Sequence, residues 1–176
     1  MIGASLPQLT FVLGGARSGK SAYAEGLLTA VPGPWAYVAT AGAHDDEMRT
    51  RIGNHKARRG SGWVVHETPV ALADVLENRI AELPCLVDCL TLWVSNLMHA
   101  GRDVAAETEL LIAALAKRVA PAIVISNEVG LGIVPDTPLG RSFRDAQGRL
   151  NQQVAALAPN VVLLAAGIPL WLKRAL

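Results

Sequence analysis

A glycine-rich segment near the start of the sequence has the residue types and spacing of a loop that binds phosphate. It matches G-x-x-x-x-G-K-[ST] at every fixed position, and its residues are Gly14, Gly15, Ala16, Arg17, Ser18, Gly19, Lys20 and Ser21. The glycines let several backbone N–H groups point at one phosphate chain, and a helix beginning near Lys20 adds the positive end of its dipole. Lys20 would reach the β- and γ-phosphates, and the Ser21 hydroxyl would join a Mg²⁺ shell. An apolar strand before the segment and an amphipathic stretch after it favour this interpretation over a turn without a ligand.

A carboxylate at the end of a second apolar segment could complete a metal site. Asp88 follows the apolar run that ends at Val87, and residues just beyond strand ends line the ligand edge of a parallel sheet. The alternative is that Asp88 caps the next helix, because aspartate is a favoured capping residue. The phosphate loop upstream favours a contact with metal or substrate.

His55 lies in a segment that could supply a nucleophile. It would share a helix face with Met48 and Ile52, and three cations lie within the four residues after it. Neighbouring positive charge disfavours the protonated imidazole, and a neutral imidazole is the form that attacks phosphorus. The residues alone nevertheless favour the structural alternative, in which His55 packs against the core and the cations are solvated.

A third polar segment follows another apolar run. Residues 127–135 read Asn-Glu-Val-Gly-Leu-Gly-Ile-Val-Pro, which places an amide and a carboxylate at the expected ligand edge. From its composition the segment is as consistent with an ordinary strand-to-helix loop as with a ligand contact.

The elements that must position these residues alternate along the chain. Short apolar runs, which indicate strands covered on both faces, alternate with segments of helical spacing such as Leu139–Ala158. The predicted fold is a single α/β domain of the P-loop NTPase type, with a mostly parallel sheet flanked by helices. The predicted strands are Leu9–Leu13, Trp35–Ala39, Cys85–Val87, Ala122–Ser126 and Asn160–Ala165, with Trp63–His66 as a weaker candidate.

Composition limits the function classes. The 176 residues suffice for one domain, which we place at residues 9–176 after a leader at residues 1–8. A formal net charge of +1 argues against a nucleic-acid partner. Cys85 and Cys89, the only cysteines, lack the further ligands of a zinc site and are interpreted as buried free thiols. No signal peptide or membrane span is expected, which is consistent with the cytoplasm.

Taken together, the motifs resemble one family closely. The combination is Gly14–Ser21, Asp45–Met48, Arg51–Lys56, Asn127–Pro135 and Phe143–Gln152. It resembles the bifunctional adenosylcobinamide kinase/adenosylcobinamide-phosphate guanylyltransferase family of vitamin B12 biosynthesis over nearly the whole chain. The last two segments are much more specific than the phosphate loop, which very many proteins share.

The resemblance implies two reactions. ATP or GTP, with Mg²⁺, first phosphorylates the aminopropanol hydroxyl of adenosylcobinamide. GTP then transfers its guanylyl group through a covalent guanylyl-histidine to the new phosphate, giving adenosylcobinamide-GDP. His55 matches the family's histidine and becomes the expected nucleophile, while Lys20 serves the kinase step. A homotrimer is also implied.

The resemblance further implies a set of nucleotide contacts. Besides the phosphate loop, these are Ala39, Thr40, Ala41, Lys56, Ala57, Arg58, Arg59, Glu67 and Asp88. The sequence departs from the family's pattern in two places: Asn54 precedes His55 where some members have a second histidine, and Asp88 stands where a glutamate is familiar. Two other interpretations of the phosphate loop are a monofunctional small-molecule kinase and a nucleotide-dependent switch protein.

Overall fold

The structure, a computed structural model, describes residues 6–41, 60 and 62–175. The strands in this part of the chain are β1 (Leu9–Gly14), β2 (Trp35–Ala39), β3 (Trp63–Glu67), β4 (Cys85–Asp88), β5 (Ala122–Asn127), β6 (Asn160–Ala165) and β7 (Ile168–Lys173). The helices are α1 (Lys20–Leu28), α2 (Leu72–Asp74), α3 (Leu90–His99), α4 (Val104–Lys117) and α5 (Pro138–Leu157), and a π-helical turn, Val75–Arg79, extends α2. Among the described residues, no helix is both long enough and apolar enough to cross a membrane.

The strands form one sheet in the order β3-β2-β4-β5-β1-β6-β7. Every neighbouring pair is parallel except β6 and β7, which are antiparallel. The predicted α/β fold with a mostly parallel sheet is therefore confirmed. Because parallel strands end at the same edge, the register places Gly14 opposite Asn127 and Ala39 opposite both Glu67 and Asp88. The phosphate loop, Asp88 and the segment after β5 therefore lie at one edge of the sheet.

Both faces of the central strands are buried, which explains why these strands are apolar throughout. On one face, alternate strand residues such as Phe11 and Val124 pack against helices α2 to α5. On the other face, residues such as Val12 and Ile123 pack against α1 and the tryptophans of β2, β3 and β7. The sheet is therefore packed on both faces, and the loops at its carboxyl edge follow strands that are held in place by this packing.

Two features differ from the sequence expectations. Strand β7 was not predicted, because Pro169 and the polar C-terminal residues do not give the pattern of a buried strand. Its residues Ile168, Leu170 and Leu172 are exposed, as befits an edge strand. Leu139, the apolar residue with which the predicted helical segment begins, is also exposed, because the first turn of α5 follows a surface loop.

Candidate functional site

The phosphate loop wraps around the start of helix α1. Two of its residues, Arg17 and Gly19, have positive φ angles of 56° and 96°, a conformation in which glycine is least strained. A Cβ on Gly14 would lie 2.5 Å from the Leu164 carbonyl oxygen, so the position has no room for a side chain. The Gly167 N–H, in the turn between β6 and β7, donates to the Ser18 carbonyl oxygen at 2.9 Å. The loop is thus held by strands on both of its sides.

Lys20 brings its positive charge inside this loop. Its side chain is buried, and its Nζ donates to the Gly15 carbonyl oxygen at 2.6 Å and to Ser18 Oγ at 3.4 Å. A cation surrounded by the loop's backbone, at the positive end of a helix dipole, is suited to bind the terminal phosphates of a nucleotide.

Ser21 and Asp88 meet at the start of α1, as expected for a metal site. The Ser21 hydroxyl donates to Asp88 Oδ2 at 2.8 Å. Both are hard oxygen ligands, and Mg²⁺ is commonly held by one or two such side chains together with substrate phosphates and water. The residues present therefore fit Mg²⁺, and among the described residues no group of three or more His, Cys, Asp or Glu side chains offers another metal site. The capping alternative for Asp88 has no support here, since helix α3 begins without a side-chain cap.

The end of β2 lies beside this pair. Thr40 is fully buried, and its hydroxyl donates to the Cys89 carbonyl oxygen at 2.7 Å while accepting from the Cys89 N–H at 2.8 Å. Its side chain thus supports the turn after Asp88. Ala39 and Ala41 flank it at the carboxyl edge, so any nucleotide contact at this strand end is expected to be made by backbone and methyl groups.

Glu67 lies two strands away from Asp88 on the same edge. It ends the edge strand β3 and is exposed. Beside it is a cavity of about 460 Å³. The cavity is lined by residues 65–71, Asp74, Val75 and Arg79. This part of the edge is open, in contrast to the buried phosphate loop.

Five of the predicted site residues lie outside the described residues. They are His55, Lys56, Ala57, Arg58 and Arg59. Their predicted roles stay predictions. The described residue that precedes them is Ala41, which follows β2 at the carboxyl edge.

The segment after β5 contacts the phosphate loop directly. The Glu128 N–H donates to the Gly14 carbonyl oxygen at 3.2 Å, and Glu128 Oε1 accepts from the Gly130 N–H at 2.7 Å. Further along, Leu131 and Ile133 are exposed. Composition alone left the role of this segment open, and its position favours the ligand edge.

The two cysteines are buried free thiols, as predicted. Burial raises the pKa of Cys85 to about 11. Burial, followed by the nearby Asp88 charge, raises the pKa of Cys89 to about 11. Both thiols are therefore neutral at physiological pH and unsuited to nucleophilic or metal chemistry.

Comparisons with known proteins agree with this geometry. Residues 10–172 match the family described as cobinamide kinase / cobinamide phosphate guanyltransferase. The sequence is 42% identical over 165 residues to the bifunctional adenosylcobalamin biosynthesis protein CobP of Pseudomonas aeruginosa, covering 92% of this chain and 95% of that protein. It is 38% identical over 181 residues to the bifunctional adenosylcobalamin biosynthesis protein CobU of Salmonella typhimurium, covering 94% and 99%. This chain belongs to the cobinamide kinase / cobinamide phosphate guanyltransferase family.

Membership of this family makes the chain a bifunctional kinase and guanylyltransferase of cobalamin biosynthesis. Among solved structures, the assembled ATPase EscN of the enteropathogenic E. coli type III secretion system matches with a TM-score of 0.54 and 13% identity. The match covers 90% of this chain, which spans less than half of the EscN chain, at 43%. This likeness concerns the fold alone.

Sequence reasoning missed one residue of this family member's site. Tyr37, in the middle of β2, donates its hydroxyl to the same Asp88 Oδ2 at 3.1 Å. The side chain is almost entirely buried, and its position in an apolar strand resembles that of any core aromatic residue. The signal that could have found it is the register, because β2 and β4 are neighbours whose ends coincide.

Proposed function

We propose that this enzyme phosphorylates the aminopropanol hydroxyl of adenosylcobinamide with ATP or GTP and then transfers GMP from GTP to that phosphate through His55. The observation that carries the kinase step is the placement of Lys20 and the Ser21–Asp88 pair around one phosphate loop. The second step rests on the family and on the predicted role of His55. The product is adenosylcobinamide-GDP.

In the kinase step, the phosphate loop would bind the triphosphate and align its γ-phosphoryl group with the acceptor hydroxyl. The oxygen–phosphorus bond to the acceptor forms as the bond to the β-phosphate oxygen breaks, and the hydroxyl proton is released. Lys20 would stabilise the charge that develops on the γ- and β-phosphate oxygens. Ser21 and Asp88 would hold Mg²⁺, which neutralises phosphate charge when bound.

In the guanylyl step, a neutral His55 nitrogen would attack the α-phosphorus of GTP. The new nitrogen–phosphorus bond replaces the bond to the β-phosphate, and pyrophosphate leaves. A phosphate oxygen of adenosylcobinamide phosphate then attacks the same phosphorus and releases the histidine. We propose that Lys56, Ala57, Arg58 and Arg59 contact the triphosphate during this step, with the three cations balancing its charge.

The remaining proposed nucleotide contacts lie along one line of strand ends. Asp88, Ala39 and Glu67 end β4, β2 and β3, which are neighbours in the sheet. Thr40 and Ala41 follow Ala39 directly. A nucleotide whose phosphates lie in the phosphate loop would extend along this edge toward the open β3 side.

We also propose that the enzyme works as a homotrimer in the cytoplasm. The outward residues Ile168, Leu170 and Leu172 of β7 form an exposed apolar row that a second copy of the chain could cover. Two free thiols suit a reducing compartment. Light scattering of the purified protein tests the assembly, and a monomer at working concentration would refute the trimer.

Labelling with GTP tests the guanylyl step most directly. Purified protein is incubated with Mg²⁺ and GTP labelled at the α-phosphorus, denatured, and examined for label on the chain. We expect acid-labile, alkali-stable label that is absent from His55→Ala, while His55→Ala still phosphorylates cobinamide. His99→Ala is the matched control, since His99 is exposed and bonds only within its own helix among the described residues. If the wild type phosphorylates cobinamide but carries no label, the protein is a monofunctional kinase. If it hydrolyses nucleotide without transferring a group to any acceptor, it is a switch protein.

A further inference from the structure

A buried polar network lies beneath the segment that follows β5. It consists of the side chains of Thr91, Ser126, Gln147 and Asn151. Ser126 Oγ donates to Asn151 Oδ1 at 2.8 Å. Gln147 Nε2 donates to Ser126 Oγ at 2.8 Å and to Asn151 Oδ1 at 2.9 Å. The Thr91 and Ser126 hydroxyls are 3.5 Å apart. The network therefore joins helices α3 and α5 to the end of β5.

Burying this network is costly. All four side chains are buried, with Ser126 and Gln147 at 0% exposure. Gln147 Oε1 has no hydrogen-bond partner among the described residues, and a buried unpaired polar atom lowers the stability of the fold. Apolar side chains at Thr91 and Asn151 would leave the backbone groups of Asn127 without these partners. The polar residues therefore hold one backbone conformation at the end of β5.

The network holds the backbone of a single residue from both sides. The Asn127 N–H donates to Thr91 Oγ1 at 2.8 Å, and Asn151 Nδ2 donates to the Asn127 carbonyl oxygen at 3.1 Å. The next residue, Glu128, donates its N–H to the Gly14 carbonyl oxygen. Gly14 is the first residue of the phosphate loop. Thr91 itself lies three residues after Asp88, so the same network reaches both the loop and the strand end that bears the metal-site carboxylate.

We propose that Thr91 and Asn151 are positioning residues for the phosphoryl-transfer site. By fixing the backbone of Asn127, they set the position of the next residue, Glu128. The Glu128 N–H in turn holds Gly14, the first residue of the phosphate loop, in place relative to Asp88. The inference rests on the proposed phosphoryl transfer at this loop. Small misplacements of bound reactants reduce turnover strongly while binding persists. Removing a positioning residue is therefore expected to lower kcat and to leave nucleotide affinity nearly unchanged.

Thr91→Val tests this role, because valine keeps the shape of threonine and removes only the hydroxyl that accepts from Asn127. With cobinamide and ATP as substrates, we expect kcat to fall about 10- to 100-fold while KM for ATP changes less than about three-fold. The concentration of active sites is measured by stoichiometric binding of labelled nucleotide, and kcat is calculated per binding site. Unfolded protein therefore does not lower the measured kcat. Thr91→Ser restores the hydroxyl and is expected to restore kcat to within about three-fold of wild type.

Thr108→Val is the matched control. Thr108 is also buried, but its hydroxyl donates to Val104 within helix α4, away from the site. If Thr91→Val and Thr108→Val lose stability equally and both keep wild-type kcat per nucleotide-binding site, the positioning role is wrong.

If Thr91→Val does not fold, Ser126→Ala is measured in the same way. A kcat decrease of about three- to ten-fold, the equivalent of one hydrogen bond, is then expected, and an unchanged kcat overturns the inference. A wild-type protein that phosphorylates no cobinamide would instead refute the proposed function.

Discussion

The two halves of the carboxyl edge are built differently. On the phosphate-loop side, the ends of β1 and β5 and the start of helix α3 are joined by hydrogen bonds among Gly14, Glu128, Asn127 and Thr91, and Lys20 is buried. On the β3 side, Glu67 is exposed beside an open cavity. Phosphates are the same in every nucleotide, so a fixed phosphate loop suits both of the proposed reactions. The open side can accommodate the parts of the substrates that differ between them.

The largest expected effect falls on the phosphate-loop side. We expect Lys20→Ala to lower kcat/KM for cobinamide phosphorylation at least about 100-fold, because the transition state loses the cation that neutralises its phosphate oxygens. Steady-state kinetics with ATP and cobinamide measure the change. Lys117→Ala, which removes an exposed lysine paired with Glu77, is the control and should match wild type. Unchanged phosphorylation in Lys20→Ala would rule out the proposed role of this lysine.

A smaller effect is expected on the β3 side. Glu67→Gln keeps the size of the side chain and removes its charge. We expect KM for GTP in the guanylyl step to rise about three- to ten-fold, as for loss of one charged hydrogen bond, with little change in phosphorylation. The exposed Glu82→Gln controls for net charge. If Glu67→Gln impairs phosphorylation as much as guanylyl transfer, the β3 side does not act selectively in the guanylyl step.

The smallest expected effect comes from the two thiols at the ends of β4, Cys85 and Cys89, and it concerns stability at high pH. Their pKa values of about 11 in the folded protein exceed the ordinary value of 9.0. Above pH 9 the unfolded chain therefore loses these protons before the folded protein does, so stability falls as pH rises toward 11 and is unaffected below pH 9. Each thiol contributes about 1 kcal/mol per pH unit to this decline.

Urea unfolding at pH 8 and pH 10.5 measures that decline. The Cys85→Ala/Cys89→Ala double variant should lose less stability between the two pH values than wild type. Equal losses would show that the thiols are not responsible. At pH 8 the folded wild type should react slowly with a thiol reagent, because neither thiolate is populated.

Much of the phosphate-loop side could be predicted from the sequence, because its information is local. Eight adjacent residues specify the loop, and buried parallel strands produce continuous apolar runs that are easy to recognise. Tyr37 and the network of Thr91, Ser126, Gln147 and Asn151 could not be predicted. Their members come from separate elements, and only the strand order and register bring them together. Strand β7 was missed because Pro169 interrupts its apolar run and the polar Lys173 and Arg174 follow it.

The turn between β6 and β7 has a consequence for how the enzyme matures during synthesis. Strand β1 is made early, but its neighbours β5 and β6 follow more than 100 residues later along the chain, and Gly167 supports Ser18 from later still. Contacts so distant in sequence form slowly and late. A ribosome must therefore release nearly the whole domain before the nucleotide cradle is complete, so a nascent chain cannot engage nucleotide in its native manner until its last hairpin has emerged.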